Sequence, residues 1–348
     1  MKILSRREFI KIGAVVLLSG CTARGMLYQR QFYVFGTLLD ISIWGVSIAR
    51  ARHAVNSLHT DFQIMHRDWH AWKPGALTRL NQAFALNRSA TVGSFLLPLI
   101  ALTKDLYQRS DGMFNPAIGR LVALWGFHND ELPVGPPPSK QAVAILAAKV
   151  PTMDDIVVRG NIVRSRNPIV QLDFGGFAKG YALDLAIQRL RGMGVDNAII
   201  NAGGDLRAIG LHGDRPWRIG VRHPQGQGVL GSLETHGDES VFTSGNYERY
   251  HEYEGIRRSH IIDPRSGIPV KHIASATVIH DNAAVADTAA TALSVAGPAG
   301  WHRTAKRLGI KLAMLVDEHG TIYMNPAMAK RMRFGGLRPD SIVIGDPL

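Results

Sequence analysis

Apolar residues at Ile48, Ala51, Val55, Leu58, Phe62 and Met65 recur at intervals of three and four, the stripe of an amphipathic helix. Similar apolar runs predict helices over 94–109, ended by Asp111-Gly112, and over 141–149. Further helices are predicted over 180–191 and, in an alanine-rich run, over 283–295. Strand-like segments fall at 156–158, 169–172, 198–201, 217–222 and 275–280. Residues 33–44 read as one strand broken at Gly36, and 312–316 with 322–324 read as a hairpin. Over 68–81 an aromatic loop turns at Pro74-Gly75 and then gives way to a short helix, and the proline-rich stretch 132–139 is a surface loop. Strands and helices come in runs rather than strict alternation. The pattern predicts an α+β fold instead of a doubly wound sheet.

The amino terminus separates from this pattern. Ser5-Arg6-Arg7-Glu8-Phe9-Ile10-Lys11 is a twin-arginine export signal, and the apolar stretch 12–18 behind it is too short to span a bilayer. Leu18-Ser19-Gly20-Cys21 reads as a lipobox with Cys21 as the lipid acceptor, the alternative being an uncleaved anchor. The chain then divides into a signal peptide (1–20), a lipidated polar tether (21–31) and one large domain (32–348). This organisation predicts a lipid-anchored protein on the periplasmic side of the cell envelope. Thr22 after the cysteine makes the outer membrane the default destination.

Composition narrows the chemistry. A single cysteine excludes an intramolecular disulfide, a four-cysteine zinc site and an all-cysteine iron–sulfur cluster. With 20% charged and 46% hydrophobic residues, the chain is neither disordered nor fibrous. The formal charge of +12 becomes +9 once residues 1–20, with four basic and one acidic side chain, are removed. Such an excess attracts phosphates, nucleic acid or anionic lipid without choosing among them, and export argues against nucleic acid.

Four segments could carry chemistry. Asp173-Phe174-Gly175-Gly176-Phe177-Ala178-Lys179-Gly180 opens a helix, where backbone amides and a lysine suit an anion, although a plain glycine turn is as good a reading. It is neither a Walker A loop nor a dinucleotide fingerprint. Asn201-Ala202-Gly203-Gly204-Asp205 allows a sharp turn or a flat ligand against bare backbone. Thr243-Ser244-Gly245, followed by Ser259-His260-Ile261 and a Pro/Gly turn, offers His260 as a general base or as a structural histidine. Asp287 and Thr291 share one helical face as hard oxygen donors suited to Mg²⁺; the alternative is a helix-dipole carboxylate and a back-bonded threonine.

Together and in order, these segments resemble the ApbE-type FAD:protein FMN transferases. The entry Phe35-Gly36-Thr37, Trp72 through Asn81, Asp111-Gly112-Met113-Phe114-Asn115-Pro116 and Leu124-Trp125-Gly126-Phe127 extend the match over nearly the whole mature chain. The resemblance implies a single domain of the ApbE, T-fold-like type. It places flavin contacts at Phe35, Trp72, Met113, Phe114, Asn115, Asp173, Lys179 and Ile261. It places metal ligands at the carbonyls of Gly176 and Ala290 and the side chains of Asp287 and Thr291. Phe35 stands where the family usually has Met, and Asn115 where it usually has Asp. The aromatic loop resembles an exported subgroup associated with nitrous-oxide respiration.

The implied reaction moves the FMN part of FAD, its substrate, to a Thr or Ser hydroxyl of an acceptor protein, releasing AMP. The implied partner is a flavoprotein subunit of a membrane redox complex. Mg²⁺ or Mn²⁺ and Lys179 would neutralise the pyrophosphate, and His260, or failing it Asp287, would take the proton. Two alternatives share these residues: a metal-dependent FAD pyrophosphatase, and a lipid-anchored flavin-binding protein without turnover.

Overall fold

The computed structural model describes residues 26–335 and 341–348, so the signal peptide, Cys21 and the start of the tether lie outside the described residues. The centre of the domain is a nine-stranded sheet. Its strands are β1 (Leu27–Val34), β2 (Thr37–Trp44), β3 (Ala198–Ala202), β4 (Asp205–Ile209), β5 (Glu239–Gly245), β6 (Ile273–His280), β7 (Leu312–Asp317), β8 (Ile322–Met324) and β9 (Ile342–Ile344). They lie side by side in chain order, antiparallel except for the parallel pair β8–β9.

Both faces of the middle of this sheet are covered, while the edge strand β1 is largely exposed. Leu39, Ile41, Ile43, Ile200, Phe242 and Val278 pack on one side against α1 (Ile48–Trp69), α6 (Ala178–Gly192) and α7 (Ala283–Leu308). On the other side Leu206, Val241, Ile279, Met314 and Val316 meet Trp217, Ile219, Leu233 and Met328. These belong to a three-stranded sheet (218–222, 229–234 and 333–334), its approach and α8 (Pro326–Arg331). With both faces covered there, β6 is buried at every position but its last, Ser275 and Thr277 included. The helices α2 (Ala76–Ala85), α3 (Leu97–Arg109), α4 (Gly119–Leu124) and α5 (Lys140–Ala147) complete the α+β domain. Among the described residues no helix is long and apolar enough to cross a membrane.

The structure corrects several expectations. Residues 33–44 are not one broken strand. Val34 pairs with Thr37 around a two-residue turn, Phe35-Gly36, with φ of 55° and 73°. Two left-handed residues in such a turn match the twist of the strands they join. The tether is also shorter than 21–31, because residues 27–31 already pair with β2.

Residues 169–172 are not a sheet strand. The Asn81 amide takes both backbone groups of Leu172, and Gln171 makes only an isolated bridge to Ile118. The alanine-rich helix does not stop at 295 but runs to Leu308, through a kink at Gly297-Pro298. The sequence analysis read a turn at Gly203-Gly204 and no strand after it, yet β4 follows at once and carries Asp205 and Arg207. Those charges are buried and paired: Arg207 Nε lies 3.1 Å from Asp184 Oδ1, and its Nη2 lies 2.8 Å from Asp238 Oδ1.

Candidate functional site

Four elements meet at one end of the sheet: the starts of α6 and β4, the end of β5, and the first half of α7. Asp287, 5% exposed on α7, accepts a 3.0 Å hydrogen bond from Gly180 N–H in the first turn of α6. A carboxylate at a helix start is favoured by the free amides and the dipole there. Gly180 admits this approach because a Cβ there would meet the Ala283 carbonyl oxygen at 2.2 Å.

Thr291 lies one turn further along α7, with its Oγ1 3.2 Å from Ser244 Oγ of β5. Gly176 faces it so closely that an added Cβ would sit 2.8 Å from Thr291 Oγ1. The small residue holds this cradle open. Lys179 is ion-paired with Asp205, whose Oδ1 accepts from Thr243 N–H at 3.0 Å. Burial alone would push the Lys179 amine down, but the carboxylates of Asp205, Glu248 and Asp287 outweigh it and hold the amine above its ordinary value. Lys179 is therefore charged at neutral pH. Asp287 is pushed up by burial and by Asp205, against the pull of Lys179.

Two carboxylates, two facing hydroxyls and a bare glycine form a hard-oxygen environment that fits a divalent cation. Among the described residues no group of three His, Cys, Asp or Glu could hold a metal, so hydroxyl and carbonyl oxygens have to contribute. Of the expected carbonyl ligands, that of Ala290 already accepts a 2.9 Å bond from Ser294 Oγ.

A second wall is made of rings on turns and loops. Phe35, at the β1–β2 tip, packs on Phe62 and edge-on to His66 of α1, 5.9 Å away. His66 meets His70 at 5.3 Å, and His70 meets Trp72 edge-on at 4.2 Å. His70 Nδ1 accepts from the Lys73 N–H at 3.1 Å, and burial lowers its pKa to about 4. The His128 ring stacks on Trp72 at 5.2 Å and 21°. Its Nε2 lies 2.8 Å from Asp173 Oδ2, while Asp173 Oδ1 accepts from Gly175 N–H at 2.8 Å. Burial would raise the Asp173 carboxyl, but these donors outweigh it and keep the group below its ordinary value.

The other expected residues are placed as follows. Met113 and Phe114 are buried in the main core. The Asn115 amide is spent on backbone, donating to the Pro151 carbonyl at 2.9 Å and accepting from Ala117 N–H at 3.0 Å. Ile261 is buried, and its N–H donates to Ser259 Oγ.

His260 Nδ1 lies 3.0 Å from the Arg249 carbonyl. A carbonyl can only accept, so the proton sits on Nδ1 and Nε2 keeps its lone pair. Burial lowers this imidazole to about 4, with the charges of Arg249 and Lys179 adding to the effect. It is therefore neutral at physiological pH. The sequence reading did not single out His128, and it gave Ser244 no role. No periodicity links either to its partner, 45 and 47 residues away, and only the tertiary contact reveals them.

Comparison with known proteins adds one consistent answer. The model of the ApbE family matches residues 35–315. A Rhodobacter capsulatus protein named FAD:protein FMN transferase is 44% identical over 94% of this chain, which spans 63% of that longer protein. A Klebsiella pneumoniae protein of the same name is 30% identical over 88% of this chain and 91% of its own length. The crystal structure of the ApbE protein from Thermotoga maritima superposes with a TM-score of 0.80 at 28% identity, covering 88% of this chain and all of its own.

Proposed function

The chain belongs to the ApbE family, and we propose that it is an FAD:protein FMN transferase, moving FMN from FAD to a Thr or Ser hydroxyl of an acceptor protein. The observation that carries this reading is the juxtaposition of a charged Lys179 and the α6 amino terminus with Asp287 and Thr291, beside a wall of rings. An anionic pyrophosphate suits the first and a planar isoalloxazine the second.

In the reaction the acceptor oxygen forms a bond to the FMN-side phosphorus. The bond from that phosphorus to the bridging oxygen breaks, and its electron pair leaves with AMP. Lys179 balances charge growing on the phosphate oxygens. The acceptor's proton goes to Nε2 of His260, whose tautomer leaves that atom free; Asp287 is the weaker candidate, since its Oδ2 is committed to Gly180. Asp287, Thr291 and the carbonyls of Gly176 and Ala290 would hold a divalent cation, Mg²⁺ or Mn²⁺, which supplies further positive charge against the pyrophosphate when bound. Phe35 and Trp72 would flank the ring system. With Met113 and Phe114 buried and the Asn115 amide spent, the 113–115 turn would offer its backbone.

Export and lipidation at Cys21 belong to the same proposal, supported by the twin-arginine and lipobox residues. Such an anchor raises the effective concentration of the enzyme near a membrane redox subunit as acceptor. Incubation with FAD, Mg²⁺ and a domain carrying a candidate threonine tests the function. Flavin fluorescence should survive acid precipitation on the acceptor. AMP formation that leaves only free FMN would identify a pyrophosphatase instead.

A further inference from the structure

We propose that His128 is a positioning residue that joins the Trp72 ring and the Asp173 carboxylate into one unit and thereby sets affinity for the flavin substrate. The inference rests on the reading of Trp72 and Asp173 as flavin contacts. The His128 side chain is only 8% exposed, directly behind the Trp125-Gly126-Phe127 turn. Asp173 is ionised and can only accept, so the 2.8 Å contact places a proton on His128 Nε2. Nδ1 then faces Gln171 Nε2, at 3.5 Å. The ring cannot turn without losing its Asp173 bond.

The same ring forms a face of the Trp72 site, stacked at 5.2 Å with 21° between the planes, while His70 and the indole meet in a T-shaped pair at 4.2 Å. The orientation of Asp173 is fixed from both oxygens, by His128 on Oδ2 and Gly175 N–H on Oδ1. One imidazole thus sets the tilt of an aromatic platform and the aim of a carboxylate 101 positions away from it in the chain. The hydrogen bonds of His128 go to Asp173 and Gln171, none to Lys179 or Asp287. Its influence should fall on substrate binding and leave the chemical step alone. A hydrogen bond to a charged partner outweighs a ring stack, so the Asp173 bond carries most of the effect.

Three substitutions separate these contributions. His128→Phe keeps a flat ring but has no donor. His128→Asn has a donor too short to reach Asp173, and His128→Gln places an amide nitrogen near the position of Nε2. Steady-state AMP release in the full-length protein with Mg²⁺ and acceptor gives KM for FAD and kcat for each. Phe and Asn should raise KM about ten- to a hundredfold with kcat within about twofold, and Gln should recover most of the loss. Asn also serves as the comparison lacking the Asp173 bond if Phe does not fold.

A folded Phe or Asn variant with wild-type KM overturns the proposal. So does a loss confined to kcat, or a Gln variant no better than Asn. Trp72→Ala and Asp173→Asn act as controls. If neither raises KM for FAD, the flavin-contact reading itself fails, which is a different result from His128 alone being silent.

Discussion

Lys179, Asp205, Asp287 and Thr291 stand on α6, β4 and the first half of α7, whereas Phe35, Trp72 and His128 come from turns and loops. The first group is fixed by backbone: Asp287 is held by a helix amide, Asp205 by a strand amide and an ion pair. The second is a run of rings, from Phe35 through His66, His70 and Trp72 to His128, pinned at its end by the His128–Asp173 hydrogen bond. On the proposed reading, charge that must meet the reacting phosphate has to be in place beforehand, because reorganising it would cost part of the barrier. A ring platform needs only to receive a plane, and loops suffice for that. On the proposed reading, turnover should then depend on the phosphate side and affinity on the ring side.

The largest effect should come from Asp287→Ala. Removing the carboxylate should abolish AMP release while FAD still binds, since the ring contacts lie elsewhere; AMP release near the wild-type rate would break the division. His260→Ala should lower the transfer rate by a factor of ~10² to 10⁴ with binding nearly intact. Because His260 stays neutral down to about 4, the acid limb it contributes should begin there and not near the ordinary histidine value. A limb that stays in place when His260 is removed would assign it to another group. Gly176→Ala drives a methyl to 2.8 Å from Thr291 Oγ1 and should cut turnover roughly ten- to a hundredfold with little change in FAD affinity. Trp72→Ala should do the reverse, raising KM for FAD about tenfold at unchanged kcat.

The smallest effect concerns stability. His70 and His260 titrate near 4 in the fold against 6.5 when unfolded. Below pH 6.5 the unfolded chain binds more protons, so this contribution is present above 6.5 and is lost as pH falls toward 4. The melting temperature should drop by roughly a few degrees between about pH 7 and pH 5, and by less in His70→Gln. An unchanged or larger drop in that variant would remove His70 from the account.

The same contrast explains what could be read in advance. Asp173 to Gly180 and Asp287 to Thr291 were legible because helix starts and i, i+4 faces are local patterns, and the structure brings both together through Gly180 and Gly176. The α+β class and most helices were legible from periodicity alone. The Phe35-Gly36 hairpin was hidden because a bulky residue occupies a left-handed position. β4 was hidden because its charges are paired inside the fold. His128 had no local signal at all, since its meaning comes from Trp72 and Asp173, distant in the chain.

The stoichiometry of one reaction mixture tests the central claim most directly. With FAD, Mg²⁺ and an acceptor domain, AMP is quantified while the intact acceptor is weighed by mass spectrometry. The account predicts that AMP and an acceptor heavier by one FMN less one water rise together, one for one. AMP accumulating with free FMN beside an acceptor of unchanged mass would contradict it.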